Sequence, residues 1–285
     1  MTNKVFSQRK LGYLPFLLPS LAGVLIFTFL PFADSLRRSF CTAVTGDFVG
    51  VNNYKAVFSN EAFRLAVKNT AKFVGICLPL LISVSFLAAY ALSRLKYIRL
   101  IKSVLLFPLA VPTAALVLVW QILFSDTGYI NNILTSHGHS AVSFLGSSAS
   151  FRVLVGSYIW KNLGYTVLLW LTGIMSVSTA VIDAAKVDGA NDRQILFRII
   201  LPELKPTLYT ITIISFLNSF KVFREAYLVA GAYPDRHIYL LQHLFNNWFV
   251  NMDLDKMAAA AVIVFAVILG AIVLLRKVWD KEEQL

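Results

Sequence analysis

Charge is scarce in this sequence. Asp, Glu, Lys and Arg supply 14% of its 285 residues while the AVILMFWYC set supplies 58%, and mean hydropathy is +0.69. Too few polar side chains remain to coat a water-soluble globule of this size, which excludes a soluble enzyme and indicates a membrane protein. Cysteine is nearly absent. Cys77 falls inside an apolar run and Cys41 outside one, so neither a disulfide framework nor a Cys-built metal site is implied. The sequence also lacks a G-x-x-x-x-G-K-S/T phosphate loop, a G-x-G-x-x-G turn, an H-E-x-x-H helix and a G-x-S-x-G elbow. Without a nucleotide cradle or an activated nucleophile the chain is not expected to be an enzyme, and no catalytic residue or metal ligand is assigned. His137-x-His139 beside Gly138 reads as a solvated loop in preference to a metal site.

Acidic residues are the scarcer sign: 15 Asp and Glu against 26 Lys and Arg, a net charge of +11. The basic residues form short clusters between apolar runs, not one stripe, which argues against nucleic acid as a partner. Three uncharged runs, Leu11 to Ala33, Phe73 to Ser93 and Ser103 to Ser125, can each cross about 30 Å of hydrocarbon. Val153 to Met175 crosses if Lys161 is tolerated. A fifth span starts at Pro206 and is uncharged to Phe220, and a sixth covers Met257 to Leu275. Internal prolines (Pro15, Pro19, Pro79, Pro108, Pro112) are compatible with bilayer helices, whose neighbours satisfy the freed carbonyls. The expected fold class is all-α, a polytopic protein with six transmembrane helices.

The expected organisation is an amino end at 1–10, a first span at 11–33, an outer link at 34–72, a core at 73–280 and a tail at 281–285. Within the outer link, Asn60 to Thr70 reads as a short helix on the membrane surface. Lys4, Arg9 and Lys10, the 94–102 link, the 179–206 link, and Arg276, Lys277 and Lys281 at the carboxyl end together make fourteen Lys and Arg. The positive-inside rule then places both termini in the cytoplasm. The first run is longer than a signal h-region and lacks a small-x-small site, so it is kept as an uncleaved span.

Links between membrane helices are usually short, yet Thr179 to Pro206 is long and patterned. Residues 182–187 read as an alanine-rich helix. Asp188-Gly189 ends it through a positive φ. Asn191 with Gln194 makes a capping box for the next helix, and Leu201-Pro202 stops that one. The bland alternative is an amphipathic loop lying on lipid headgroups.

Asp183-Ala184-Ala185, Asp188-Gly189-Ala190, Phe197, Leu201-Pro202 and Pro206 resemble the EAA motif of ABC importer permeases, with Asp183 where that family usually has Glu. Val49 to Tyr54, Phe63, Asn69-Thr70, Phe107 to Pro112, Trp120, Gly128, Asn131 and Trp160 to Gly164 extend the resemblance over nearly the whole chain. It is similar to carbohydrate-uptake permeases, MalF-like in its leading helix and long first outer link. Gly231-Ala-Tyr-Pro234 departs from their usual Gly-Gly-Pro. The resemblance implies a binding-protein-dependent transport component in the bacterial inner membrane: half of a sugar pore, paired with a MalG-like permease. Two cytoplasmic ATPases would bind the ATP and Mg, and an extracytoplasmic binding protein would deliver the sugar. Asp183, Ala184, Ala185, Asp188, Gly189, Ala190 and Phe197 would then dock an ATPase.

For the substrate path, Asn218, Lys221 and Glu225 share one stripe of the fifth helix at 100° per residue. Counting rise puts Lys221 about 22 Å above the inner edge and Lys161 about 13 Å below the outer one. The family's sugar-contact region adds Gly164 and Ser219. Lys221 could instead snorkel, or pair with Glu225 at i,i+4, and Arg224 reads as reaching the outer headgroups. Trp120, Trp160 and Trp170 read as packing residues. An ion-coupled secondary transporter is the alternative function.

Overall fold

The computed structural model describes residues 14–95 and 98–282, so the amino end at 1–10 and residues 283–285 of the tail lie outside the described residues. It comprises α1 (Leu14–Val24), which continues through a π turn (Leu25–Phe29) into α2 (Leu30–Arg38), then α3 (Asn52–Ser59), α4 (Glu61–Ser93), α5 (Ile98–Ala110), α6 (Thr113–Phe124), α7 (Tyr129–Ser136) and α8 (Ala149–Ser176). After these come α9 (Thr179–Val187), α10 (Asp192–Ile195), a π turn (Leu196–Ile200), α11 (Leu201–Glu203), α12 (Lys205–Ser219), a 3-10 turn (Phe220–Val222), α13 (Phe223–Ala230), α14 (Leu241–Val250) and α15 (Leu254–Glu282). Among the described residues no strand forms beyond an isolated bridge between Cys41 and Phe48.

Among the described residues, four helical stretches are long and apolar enough to cross a membrane: Phe16–Arg38, Glu61–Ser93, Thr113–Ser136 and Leu254–Lys277. Two bent pairs, Ala149–Ser176 with Thr179–Val187 and Asp192–Glu203 with Lys205–Tyr227, bring the number to six, bent by 63° and 62°. Pro19, Pro79 and Pro108 are accommodated inside helices. Pro112 is not: it sits extended at φ −57° and ψ 137°, splitting the third run into α5 and α6. A proline disfavours helical backbone in its predecessor, and here Val111 leaves the helix. The surface helix expected over 60–70 is not separate. Glu61 starts a 33-residue helix that runs through to Ser93, because no Gly or Pro interrupts the apolar face where the polar segment meets the span.

The chain divides into two compact units, Met1–Glu61 with Asn247–Ala271, and Ala62–Asn246 with Ile272–Leu285. In the first, Phe32 meets Phe265 with ring centroids 4.6 Å apart. Buried Asn53 donates to the carbonyls of Ser39 at 3.1 Å and Cys41 at 2.9 Å, fixing the turn that leaves α2. The second unit has two apolar cores. Phe73, Cys77, Leu81, Phe151, Leu154, Tyr158, Val222 and Ala226 form one, and Ala89, Val167, Trp170, Leu171, Ile195, Ile200, Leu204 and Ile211 the other. Trp170 is 3% exposed, edge-on to Phe86. Trp120 and Trp160 lie edge to face at 5.9 Å, so these tryptophans pack.

The amino-terminal part of α4 is tied to the segment before α14. Asn69 donates to the carbonyls of Arg236 at 2.7 Å and Tyr239 at 3.0 Å, and Thr70 accepts from the Leu241 amide at 3.1 Å. His243 is fully buried beside them, and its Nδ1 accepts from the Leu240 amide at 3.1 Å. Burial pushes this imidazole down from 6.5 to about 4. The unfolded chain therefore takes a proton that the native chain refuses as pH falls from 6.5 towards 4. Stability is complete above pH 6.5 and should drop by up to about 3 kcal/mol through that window. Thermal unfolding in detergent between pH 7 and 4 measures this, and His243→Gln should flatten the slope.

Candidate functional site

Two places carry the residues singled out from the sequence. The first is the link over residues 179–206. Gly189 adopts φ +83°, and the amides of Gly189 and Ala190 donate to the carbonyls of Lys186 at 3.0 Å and Ala185 at 2.9 Å. This is a Schellman turn, which needs a residue without strain at positive φ. Asn191 then caps α10, accepting from the Gln194 amide at 2.9 Å while the Gln194 side chain accepts from the Asn191 amide at 2.8 Å. Local chemistry thus sets the whole link.

Its two faces differ. Ile182, Ala185, Ala190 and Leu196 pack on the core around Trp170 and Leu204, whose buried Ile195 and Ile200 come from the same link. Asp183, Ala184, Asp188, Gly189 and Phe197 are exposed. Ala185 and Ala190 are therefore half-buried supports of the link, since small side chains let α9 sit close against the core. Val187, 87% exposed, was passed over in the sequence reading; its signal is an apolar residue directly before the Asp-Gly break. A cavity of about 370 Å³ opens beside Asp188, Gly189, Gln194 and Arg198. Arg94, beyond the end of α4, reaches Asp192 at 3.1 Å and braces the link from the other side.

The second place is a cavity of about 380 Å³ between α6, α8, α12 and α13, lined by Thr113, Tyr158, Lys161, Asn162, Asn218, Lys221, Arg224 and Glu225 among others. Lys161 forms an ion pair with Glu225 and donates to Thr113 Oγ1 at 3.1 Å. Glu225 is 6% exposed. Tyr158 donates to the Ser215 carbonyl at 2.7 Å, holding α8 to α12. The local pairing of Lys221 with Glu225 does not form. The 3-10 turn at Phe220–Val222 advances the chain at three residues per turn and shifts the stripe. Lys221 instead donates back to Asn218 Oδ1 at 3.0 Å. The carbonyl of Phe220 in that turn accepts from the Gln242 side chain at 2.8 Å.

Lys161, Asn218, Lys221 and Glu225 thus meet in one cavity, whereas Gly164 and Ser219 do not line it. Ser219 is buried and donates to the Phe216 carbonyl at 2.6 Å. Gly164 lies against the backbone of α5, where a Cβ would fall 1.6 Å from the Leu105 carbonyl oxygen; its role is close helix approach. Arg224, assigned from sequence to the headgroups, lines the cavity instead. Thr113 and Tyr158 were missed because nothing local marks residues that meet α8 and α12 only in three dimensions.

Removing one partner of a buried pair strands the other charge. Glu225→Ala should cost about 3 kcal/mol, the low end because the cavity admits water. Lys161→Met combined with Glu225→Leu should recover most of that loss in thermal unfolding of the detergent-solubilised protein.

Residues 81–279 match the family described as binding-protein-dependent transport system inner membrane component. The trehalose/maltose transport system permease protein MalF of Thermococcus litoralis is 31% identical over 98% of this chain and 97% of its own. The sn-glycerol-3-phosphate transport system permease protein UgpA of Yersinia pseudotuberculosis is 27% identical, covering 92% and 93%. Two solved structures share the fold. A bacterial ABC transporter involved in the import of the acidic polysaccharide alginate matches with TM-score 0.84 at 23% identity, over 98% of this chain and 99% of that one. A bacterial alginate transporter in complex with its pentasaccharide-bound periplasmic protein gives 0.79 at 24%, over 95% and 94%. Up to six candidate spans among the described residues, a folded link between two of them and a match over most of its length all agree: the chain belongs to the binding-protein-dependent transport system inner membrane components, the permease subunits of ABC importers.

Proposed function

We propose that this permease forms half of the translocation pathway for a sugar or oligosaccharide, with both termini cytoplasmic and a second, MalG-like permease completing the pore. Two cytoplasmic ATPases supply the ATP and Mg chemistry, and an extracytoplasmic binding protein delivers the cargo. The observation that carries this reading is the folded link: an exposed ridge of Asp183, Ala184, Val187, Asp188 and Phe197, with Gly189 at its turn, mounted on an inner core through Ala185 and Ala190. Such a body moves as a unit with α8 and α12, so closure of an ATPase dimer beneath it would switch the pore between outward and inward access. The cavity bearing Lys161, Asn218, Lys221 and Glu225 supports a substrate path on those same helices. No observation favours the ion-coupled alternative.

The test is uptake by proteoliposomes holding the complex purified through a tag on this chain, with its binding protein added. Accumulation that needs ATP inside and persists when ion gradients are collapsed agrees with the proposal. Accumulation that follows an ion gradient without ATP refutes it.

A further inference from the structure

The charges of the second cavity do not balance within this chain. Glu225 neutralises Lys161. Lys221 and Arg224 line the same cavity, both exposed, and Lys221 makes its hydrogen bond to a neutral amide, Asn218. Among the described residues no carboxylate lies in ion-pair reach of either. Cations at membrane depth are costly unless a cavity or a counter-charge receives them. Here a cavity is present and the counter-charge is not.

A second observation concerns Glu225 itself. One carboxylate oxygen is engaged by Lys161, while Oε2 is buried with no hydrogen-bond partner in the chain. A buried acceptor normally has a donor, and leaving a charged one unsatisfied is unfavourable. Thr113, Asn162 and Tyr158 add short polar groups on the same walls, beside the aliphatic side chains of Leu109 and Val222. The lining therefore offers two unneutralised cations, a carboxylate with a spare acceptor and an apolar flank. Neutral polyols satisfy the acceptor and hydrogen-bond the cations without neutralising them, and simple inorganic anions satisfy only the cations. A carbohydrate that carries an acid group satisfies both.

We infer that the cavity between α8, α12 and α13 is a binding site for an anionic saccharide, Lys221 and Arg224 taking its acid group while Glu225 accepts from its hydroxyls. This deepens the importer reading and rests on it. Lys161 is then a positioning residue, since its pairing with Glu225 and its hydrogen bond to Thr113 hold that carboxylate in the cavity wall.

The experiment uses the assembled permease–ATPase complex in nanodiscs without binding protein, so that the pore alone selects. Three probes are titrated by calorimetry: a uronic acid disaccharide, its carboxyl-reduced neutral counterpart, and a hexose phosphate. At least one of the two acidic probes should bind about tenfold or more tightly than the neutral one, and which of them does so names the acid group. Lys221→Gln and Arg224→Gln should each weaken that binding by about ten- to a hundredfold and narrow the gap between the acidic and the neutral probe. Both side chains are exposed, and size-exclusion of each variant complex checks assembly. Equal binding of all three probes, or acidic-probe binding indifferent to both substitutions, overturns the inference. The importer reading is judged separately, by ATP-dependent uptake, so the two can fail independently.

Discussion

Replacing Gly189 by valine is expected to reduce ATP-driven uptake by about tenfold or more, with the helices of the membrane core intact. The reason is confined to the backbone. At φ +83° with nothing within 4 Å of an added Cβ, a side chain at 189 meets no neighbour and is strained only by its own conformation. For a non-glycine residue that strain is about 1–2 kcal/mol, and branching at Cβ makes it worse. Relief requires giving up the amide bonds from Gly189 and Ala190 to Lys186 and Ala185, which define the angle between α9 and α10. The exposed ridge would then no longer present Val187 and Phe197 together. Gly189→Asn separates this account from simple loss of space, because asparagine tolerates the left-handed region and should retain most uptake. ATPase retained on the tagged permease, uptake rate and circular dichroism are the measurements. Normal uptake in the valine variant would mean that the geometry of the link does not matter.

A larger effect on the folded protein is expected at Gly164. Its Cβ position lies 1.6 Å from a backbone oxygen and 2.5 Å from the carbonyl carbon of Leu105. Backbone cannot swing aside as a side chain does, so Gly164→Ala must push α5 away from α8. Overpacking of this kind costs about 1–3 kcal/mol where neighbours can yield, and Gly164→Ala should reach or exceed the upper figure. Gly164→Val should prevent recovery of folded protein. Gly156 sits in the same helix with nothing within 4 Å of its Cβ position. Gly156→Ala should therefore be neutral or stabilising by up to about 1 kcal/mol through helix propensity. Thermal unfolding of both alanine variants in detergent decides the matter; equal midpoints would refute the close-approach role.

The 179–206 link was legible in detail because its stabilising bonds are short in sequence. The Gly189 turn and the Asn191–Gln194 box each close within six residues, so residue identity and spacing suffice to specify them. The spans were legible for a similar reason, since uncharged length is itself the physical requirement for crossing hydrocarbon. Boundaries were less so. Whether a proline bends a helix or splits it depends on the neighbours that receive the freed carbonyls, and Pro79 and Pro112 have opposite outcomes.

The cavity was legible only as a set of candidates. Asn218, Lys221 and Glu225 could be placed on a common stripe, but a regular helix was assumed where the chain makes a 3-10 turn. That single turn separates Lys221 from Glu225 and sends Glu225 to Lys161, 64 residues away in sequence. Arg224 followed the same rotation into the cavity. Gly164 carries no mark of its own that distinguishes a ligand contact from a helix crossing.

From its sequence alone, then, this protein is a membrane subunit with six candidate spans, bearing a folded link between the fourth and the fifth. Those properties follow from uncharged length and hydrogen bonds between near neighbours, both of which operate within a few turns of chain. Which charges neutralise one another, which glycine holds two helices together and which cations remain for a ligand were decided only by tertiary packing. Such pairings depend on distances between side chains that the chain brings together from remote segments, and no local pattern encodes those distances.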